Sequence, residues 1–158
     1  MHPSSLLLPD APGLIAELRA AGLLDQLSDG AAESAYARAY LLTQQRQYLQ
    51  ASRLFALLSL FRPTQLRVWQ GLALCARELK AHDDAVRALR HCVELAPQAP
   101  EFSFALADCL CLGGHPHQAI EWLEAMVSGA TGPGAEPVAQ RARDVIARLQ
   151  GALHEPQH

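Results

Sequence analysis

The stretch Leu66-Arg-Val-Trp69-Gln-Gly71-Leu72-Ala73-Leu-Cys75-Ala-Arg-Glu-Leu-Lys80-Ala-His82-Asp83-Asp84-Ala85-Val-Arg-Ala-Leu89-Arg-His91-Cys92-Val-Glu-Leu-Ala-Pro97 decides the fold. Its marker residues recur 34 positions away on either side: Ala39, Ala73 and Ala107; Ala51, Ala85 and Ala119; Phe55, Leu89 and Leu123; Pro63 and Pro97. A fixed period of that length, with small residues where two helices must touch, is the signature of a helix-turn-helix solenoid. The fold class is therefore all-α, and a repeat solenoid points to a binding protein, not an enzyme.

Numbering each repeat from 1 places the first at 32–65, the second at 66–99 and the third at 100–133. Positions 8 and 20 hold alanine in all three, as expected where the antiparallel helices of a repeat cross too closely for more than a methyl group. Asp83 and Asp84 are expected to cap the second helix of the middle repeat, Gly113-Gly114 to close the first helix of the third, and Pro63 and Pro97 to stop second helices. The third repeat departs from the pattern at position 4, where Ser103 replaces the aromatic, and at Thr131, which stands where the terminal proline would be. Trp69, Leu72, Ala73, Ala85, Leu89 and Pro97 match the tetratricopeptide pattern, so the chain resembles a tetratricopeptide solenoid of three helix-turn-helix repeats.

Residues 1–11 read as a disordered leader, because Pro9 cuts short the three leucines that precede it and no basic run comes before them. Residues 12–153 read as one domain. Within it, 12–28 is an N-terminal helix started by Asp10 and Pro12, apolar enough to pack on the first repeat or pair with a second copy of the chain. A Gly/Pro linker over 128–136 leads to a capping helix at 135–153, whose Val138, Ala142, Val145, Leu149 and Leu153 form a stripe backed by Arg141, Arg143 and Arg148.

Composition excludes several functions. Half of the residues are hydrophobic and 18% charged, Lys80 is the only lysine, and the net charge is −3, which offers no cluster of cations for nucleic acid. The apolar run Leu54–Phe61 is far short of the ~20 residues needed to cross a bilayer, so no membrane insertion is expected. The four cysteines, Cys75, Cys92, Cys109 and Cys111, fall on predicted helices and read as reduced thiols of a cytosol. Cys109, Cys111, His115 and His117 crowd together in sequence, but residues two apart on a helix project about 200° from each other, which argues against a shared metal ion. Gly129, Gly132 and Gly134 lack the Lys-Ser/Thr of a phosphate loop, and no nucleophile–base pair emerges from helical spacing, so neither cofactor nor metal is expected.

Beyond the repeats themselves, the run from Leu23 to Met126 resembles the class II chaperones of type III secretion systems, which hold translocator subunits before export. The resemblance rests on Gly22-Leu-Leu-Asp-Gln-Leu27, Tyr36-Ala-Arg-Ala-Tyr40, Gly71-Leu72-Ala73, and Pro100 leading to Phe104-Ala-Leu-Ala-Asp108-Cys109-Leu-Cys111-Leu-Gly113. It implies a bacterial cytoplasmic chaperone that binds an extended segment of a hydrophobic translocator and is able to homodimerise through its N-terminal region. A tetratricopeptide adaptor bridging folded partners, and a needle-subunit chaperone, are the alternatives.

In a tetratricopeptide stack, positions 2, 5, 9, 12 and 13 of each first helix face the concave side. They are Glu33, Tyr36, Tyr40, Thr43 and Gln44; Arg67, Gln70, Leu74, Arg77 and Glu78; and Glu101, Phe104, Asp108, Cys111 and Leu112. The expected peptide-binding set is Tyr36, Tyr40, Gln44, Arg67, Gln70, Leu74, Arg77, Phe104, Asp108 and Cys111, with Tyr36, Tyr40, Leu74 and Phe104 as anchors. The competing structural reading is that neighbouring helices or the terminal arms bury these side chains, Tyr36 above all.

Overall fold

A computed structural model describes Ala20, Gly22 and residues 28–154, which form seven helices and, among the described residues, no strand. They are α1 (Asp29–Gln44), α2 (Tyr48–Phe61), α3 (Leu66–Glu78), α4 (His82–Leu95), α5 (Pro100–Leu112), α6 (Pro116–Gly129) and α7 (Ala135–His154). The expected leader at 1–11 and the N-terminal helix at 12–28 lie outside the described residues. The helices pair in sequence order, each packing on its chain neighbours, and the first helices of the first two repeats, α1 and α3, also touch.

The alanine ladder explains how closely the pairs approach. Ala39, Ala51, Ala73, Ala85, Ala107 and Ala119 are all buried at the helix crossings, with Phe55, Leu72, Leu89, Leu106 and Leu123 filling the layers between them. Gly71 makes an even tighter contact. A Cβ built there would lie 2.4 Å from the Phe55 ring, so glycine admits an aromatic side chain from the preceding repeat.

Each first helix ends in the same way. Arg46, Lys80 and Gly114, 34 residues apart, all take positive φ (58°, 57° and 84°). The residue after each sends its backbone N–H five residues back, Gln47 to Leu42, Ala81 to Ala76 and His115 to Leu110, at 2.8–2.9 Å, closing the helix as a left-handed C-terminal cap. Only the third of these positions has the glycine that such a conformation favours. Pro63 and Pro97 follow the ends of α2 and α4 by two residues, as expected of residues that cannot continue a helix.

Two local expectations are corrected. The N-cap of α4 is Ala81, and Asp83 and Asp84 lie in the first turn, where their charge complements the positive end of the helix dipole; Asp84 is buried with Arg87 at 3.7 Å. In α7 the buried residues are Ala139, Ala142 and Ile146; of the expected stripe Ala142 is buried, Val138, Val145 and Leu149 are half-buried against the core, and Leu153 is exposed. α6 also runs on through Ser128 and Gly129, which leaves a connection of only Ala130–Gly134 before α7.

Candidate functional site

The expected inner face belongs to α1, α3 and α5, the first helices of the three repeats. Apolar side chains stand open to solvent along it: Tyr40 is 54% exposed, Leu74 43% and Leu112 66%. Tyr40 and Leu74 occupy the same repeat position, so the solenoid period itself lines them up across successive helices. Gln44, Gln70, Arg77 and Asp108, at other expected inner positions of the same helices, are exposed as well. Exposed apolar groups on the first helices of all three repeats gain free energy when a partner removes them from water.

Two further rings are held differently. Tyr36 is half-buried, its ring edge-on to buried Phe55 at 5.9 Å between centroids, and the Arg67 guanidinium lies 4.2 Å above the Tyr36 ring. Arg67 is in turn held by Glu33 through a charge-assisted hydrogen bond, so arginine, carboxylate and ring form one unit at the seam of the first two repeats. Phe104, expected as an open anchor, is only 7% exposed. Arg141 from α7 lies 4.2 Å above its ring, in the arrangement that Arg67 makes with Tyr36. Tyr36 and Phe104 share repeat position 5, and at both the next inner helix supplies the arginine.

Arg141 lies outside the expected inner positions, and Leu112, expected on the inner face, was left out of the expected peptide-binding set. The available signal for Arg141 was Ala142, which lies 35 residues after Ala107 and extends the alanine ladder by one offset position into α7, making it a fourth inner helix. The opposing reading, burial by neighbouring helices, describes Phe104 fully, Tyr36 in part, and Tyr40 and Leu74 not at all.

The thiols follow the packing. Cys75 and Cys109, both at repeat position 10, and Cys92 are buried, and Thr43 Oγ1 sits 3.8 Å from Cys75 Sγ. Burial pushes the Cys92 thiol up to about 12 and raises Cys75, Cys109 and Cys111. Raised in this way the thiols stay protonated near neutral pH, and Cys75, Cys92 and Cys109 are also shielded from reagents by burial. Cys111 is half-buried while Cys109 is wholly enclosed, and among the described residues no three His, Cys, Asp or Glu side chains are placed to hold a metal ion. Among the same residues no helix is long and apolar enough to cross a membrane.

The tetratricopeptide repeat family model matches residues 76–135, spanning the later repeats. No curated protein matches the sequence. Among solved structures, the type III secretion chaperone SycD of Yersinia enterocolitica in complex with a peptide of the translocator YopD is 22% identical, with a TM-score of 0.63 over 82% of this chain and 99% of that one. PcrH in complex with the chaperone binding region of PopD is also 22% identical, with a TM-score of 0.63 over 81% of this chain and 97% of that one. A type III secretion complex from Aeromonas hydrophila is 21% identical, with a TM-score of 0.65 over 92% and 99% of the two chains. The repeat solenoid of this protein is thus the fold of these chaperones.

Proposed function

We propose that this protein is a type III secretion chaperone of the bacterial cytoplasm, a binding protein and not an enzyme, that keeps a hydrophobic translocator soluble by holding an extended segment of it against the inner face. The observation that carries this reading is the exposed apolar set Tyr40, Leu74 and Leu112 on a solenoid similar to chaperones crystallised with translocator peptides. The set supplies apolar contact, Gln44, Gln70 and Asp108 supply hydrogen-bonding groups, and Arg77 supplies a cation for backbone carbonyls or acidic side chains of the guest. Tyr36 and Phe104 line the same face with their rings already covered by Arg67 and Arg141, and Cys111 lies half-buried next to Leu112. The exposed leucines of the first repeat, Leu41, Leu49 and Leu57, offer a surface that homodimerisation through the N-terminal region would cover.

Co-expression tests the reading. A hydrophobic translocator from the same secretion system is expected to become soluble only with this protein, and a synthetic segment of it to compete. Tyr40→Ala should weaken that segment by about 2 kcal/mol, close to 30-fold in Kd, with the helical circular dichroism signal unchanged. Equal affinity after Tyr40→Ala moves the site off the inner face, and capture only of folded partners establishes an adaptor instead.

A further inference from the structure

A second surface lies where the third repeat meets α7. In the middle repeat, Trp69 fills the seam behind the first repeat: its Nε1 donates to the Pro63 carbonyl at 2.7 Å, and its ring stacks on His91 at 3.9 Å between centroids. One period later those three positions are Ser103, Pro97 and Ala125. The indole and the imidazole have been exchanged for a hydroxymethyl and a methyl group. Ser103, Pro97 and Ala125 all line a cavity of about 500 Å³, whose other walls include Trp122, Met126 and the Gly/Pro connection at Pro133. None of the inner-face anchors Tyr36, Tyr40, Leu74 or Phe104 takes part in it.

Two features say what fits. The Trp122 indole Nε1 is buried without a hydrogen-bond partner, so this wall lacks the acceptor that Pro63 gives Trp69. Behind that wall the Arg90 guanidinium lies 5.2 Å from the Trp122 ring centroid and, among the described residues, pairs with no carboxylate. An aromatic side chain would fill the space that the indole and the imidazole leave, and an adjacent carboxylate would answer Arg90 and give the indole N–H an acceptor.

We propose that this cavity receives, from a second polypeptide, one aromatic side chain followed directly by an acidic residue, at a docking site separate from the inner face.

The protein contains two tryptophans, Trp69 and Trp122, which makes the site directly readable. In the 15N-labelled full chain the two indole N–H signals are assigned with Trp122→Phe, and the unlabelled peptide acetyl-Gly-Ser-Trp-Glu-Ser-Gly-amide is titrated up to about 1 mM, the weak end of measurable peptide affinity. The expected result is a saturable shift of the Trp122 indole signal with the Trp69 signal unmoved. The shift should disappear when the peptide's tryptophan is alanine, and Kd should rise at least about threefold when its glutamate is lysine, the size of a partly screened charge contact. Ser103→Trp, or Ala125→Leu should that variant not fold, should abolish binding by filling the cavity, whereas Tyr40→Ala should leave it unchanged. No shift of the Trp122 signal, equal binding of the lysine peptide, or undiminished binding to a folded cavity-filling variant overturns the proposal. Loss of binding in Tyr40→Ala overturns it too, by placing the peptide on the inner face.

Discussion

Gly71→Ala sets two known effects against each other. In an exposed helix interior, replacing glycine by alanine gains about 1 kcal/mol from backbone entropy alone. Here the added methyl would stand 2.4, 2.5 and 2.7 Å from Cζ, Cε1 and Cε2 of Phe55, where carbon atoms in contact normally keep about 3.5–4 Å. The ring must retreat by about 1 Å to restore that spacing, but it is fully enclosed and backed by the Tyr36 ring. Overpacking of this kind costs about 1–3 kcal/mol, and three overlapping ring atoms put the cost in the upper half of that range. Net destabilisation is then about 1–2 kcal/mol, a fall in Tm of roughly 2–8 °C for a chain of this size. Thermal unfolding by circular dichroism measures it, and Phe55→Leu supplies the control, because one repeat later the equivalent pair is Leu89 and Ala105. In the Phe55→Leu background the same glycine replacement should be neutral or stabilising, a coupling of about 1–3 kcal/mol in the double-mutant cycle. A raised Tm for Gly71→Ala alone refutes the reasoning, since propensity would then outweigh the contact. Because Phe55 supports Tyr36, the substitution should also weaken binding of a translocator segment beyond what the stability loss explains.

Lys80 holds a left-handed φ of 57° that costs a non-glycine residue about 1–2 kcal/mol, so Lys80→Gly should leave urea stability equal or up to about 1 kcal/mol higher, whereas Gly114→Val at the equivalent turn should lower it by at least about 1 kcal/mol. Under native conditions a thiol reagent should modify Cys111 well before the buried Cys75, Cys92 and Cys109, and a bound inner-face peptide should slow that first reaction; simultaneous reaction of all four thiols would show that the repeats open together. Burial raises Cys92 from the ordinary 9.0 to about 12, so above pH 9 the unfolded chain loses a proton that the native chain retains. Its contribution is whole below pH 9 and is lost as pH climbs towards 12, so Cys92→Ala should flatten the fall in urea stability between pH 9 and 10.5, and an unchanged slope would assign that fall to other groups.

The alanines at positions 8 and 20 were legible because a crossing of two helices leaves a direct trace in residue size, repeated at each period. The openness of Tyr40 and Leu74 was legible for the same reason, since position in the repeat fixes which way a first-helix residue points. Phe104 was misjudged because its cover comes from α7, beyond a connection that shifts the frame by one residue, and local spacing carries no information about what a later helix places above a ring. Arg46 and Lys80 gave no sign of their backbone conformation. The turn is imposed by packing the second helix back on the first, and the side chain merely tolerates it. At Asp83 and Asp84 the chemistry expected of a helix start was present two and three residues late, inside the first turn instead of before it.

Neighbour-to-neighbour packing gives the inner face a mechanical property of its own. Tyr40, Leu74 and Leu112 belong to helices joined mainly through the outer helices between them, so each seam acts as a hinge in a spring. A guest stretched over all three spans two seams at once and works as a strut. Its departure would soften the bending of the whole arc, and the sharpness of thermal unfolding, more than its midpoint, would register the loss.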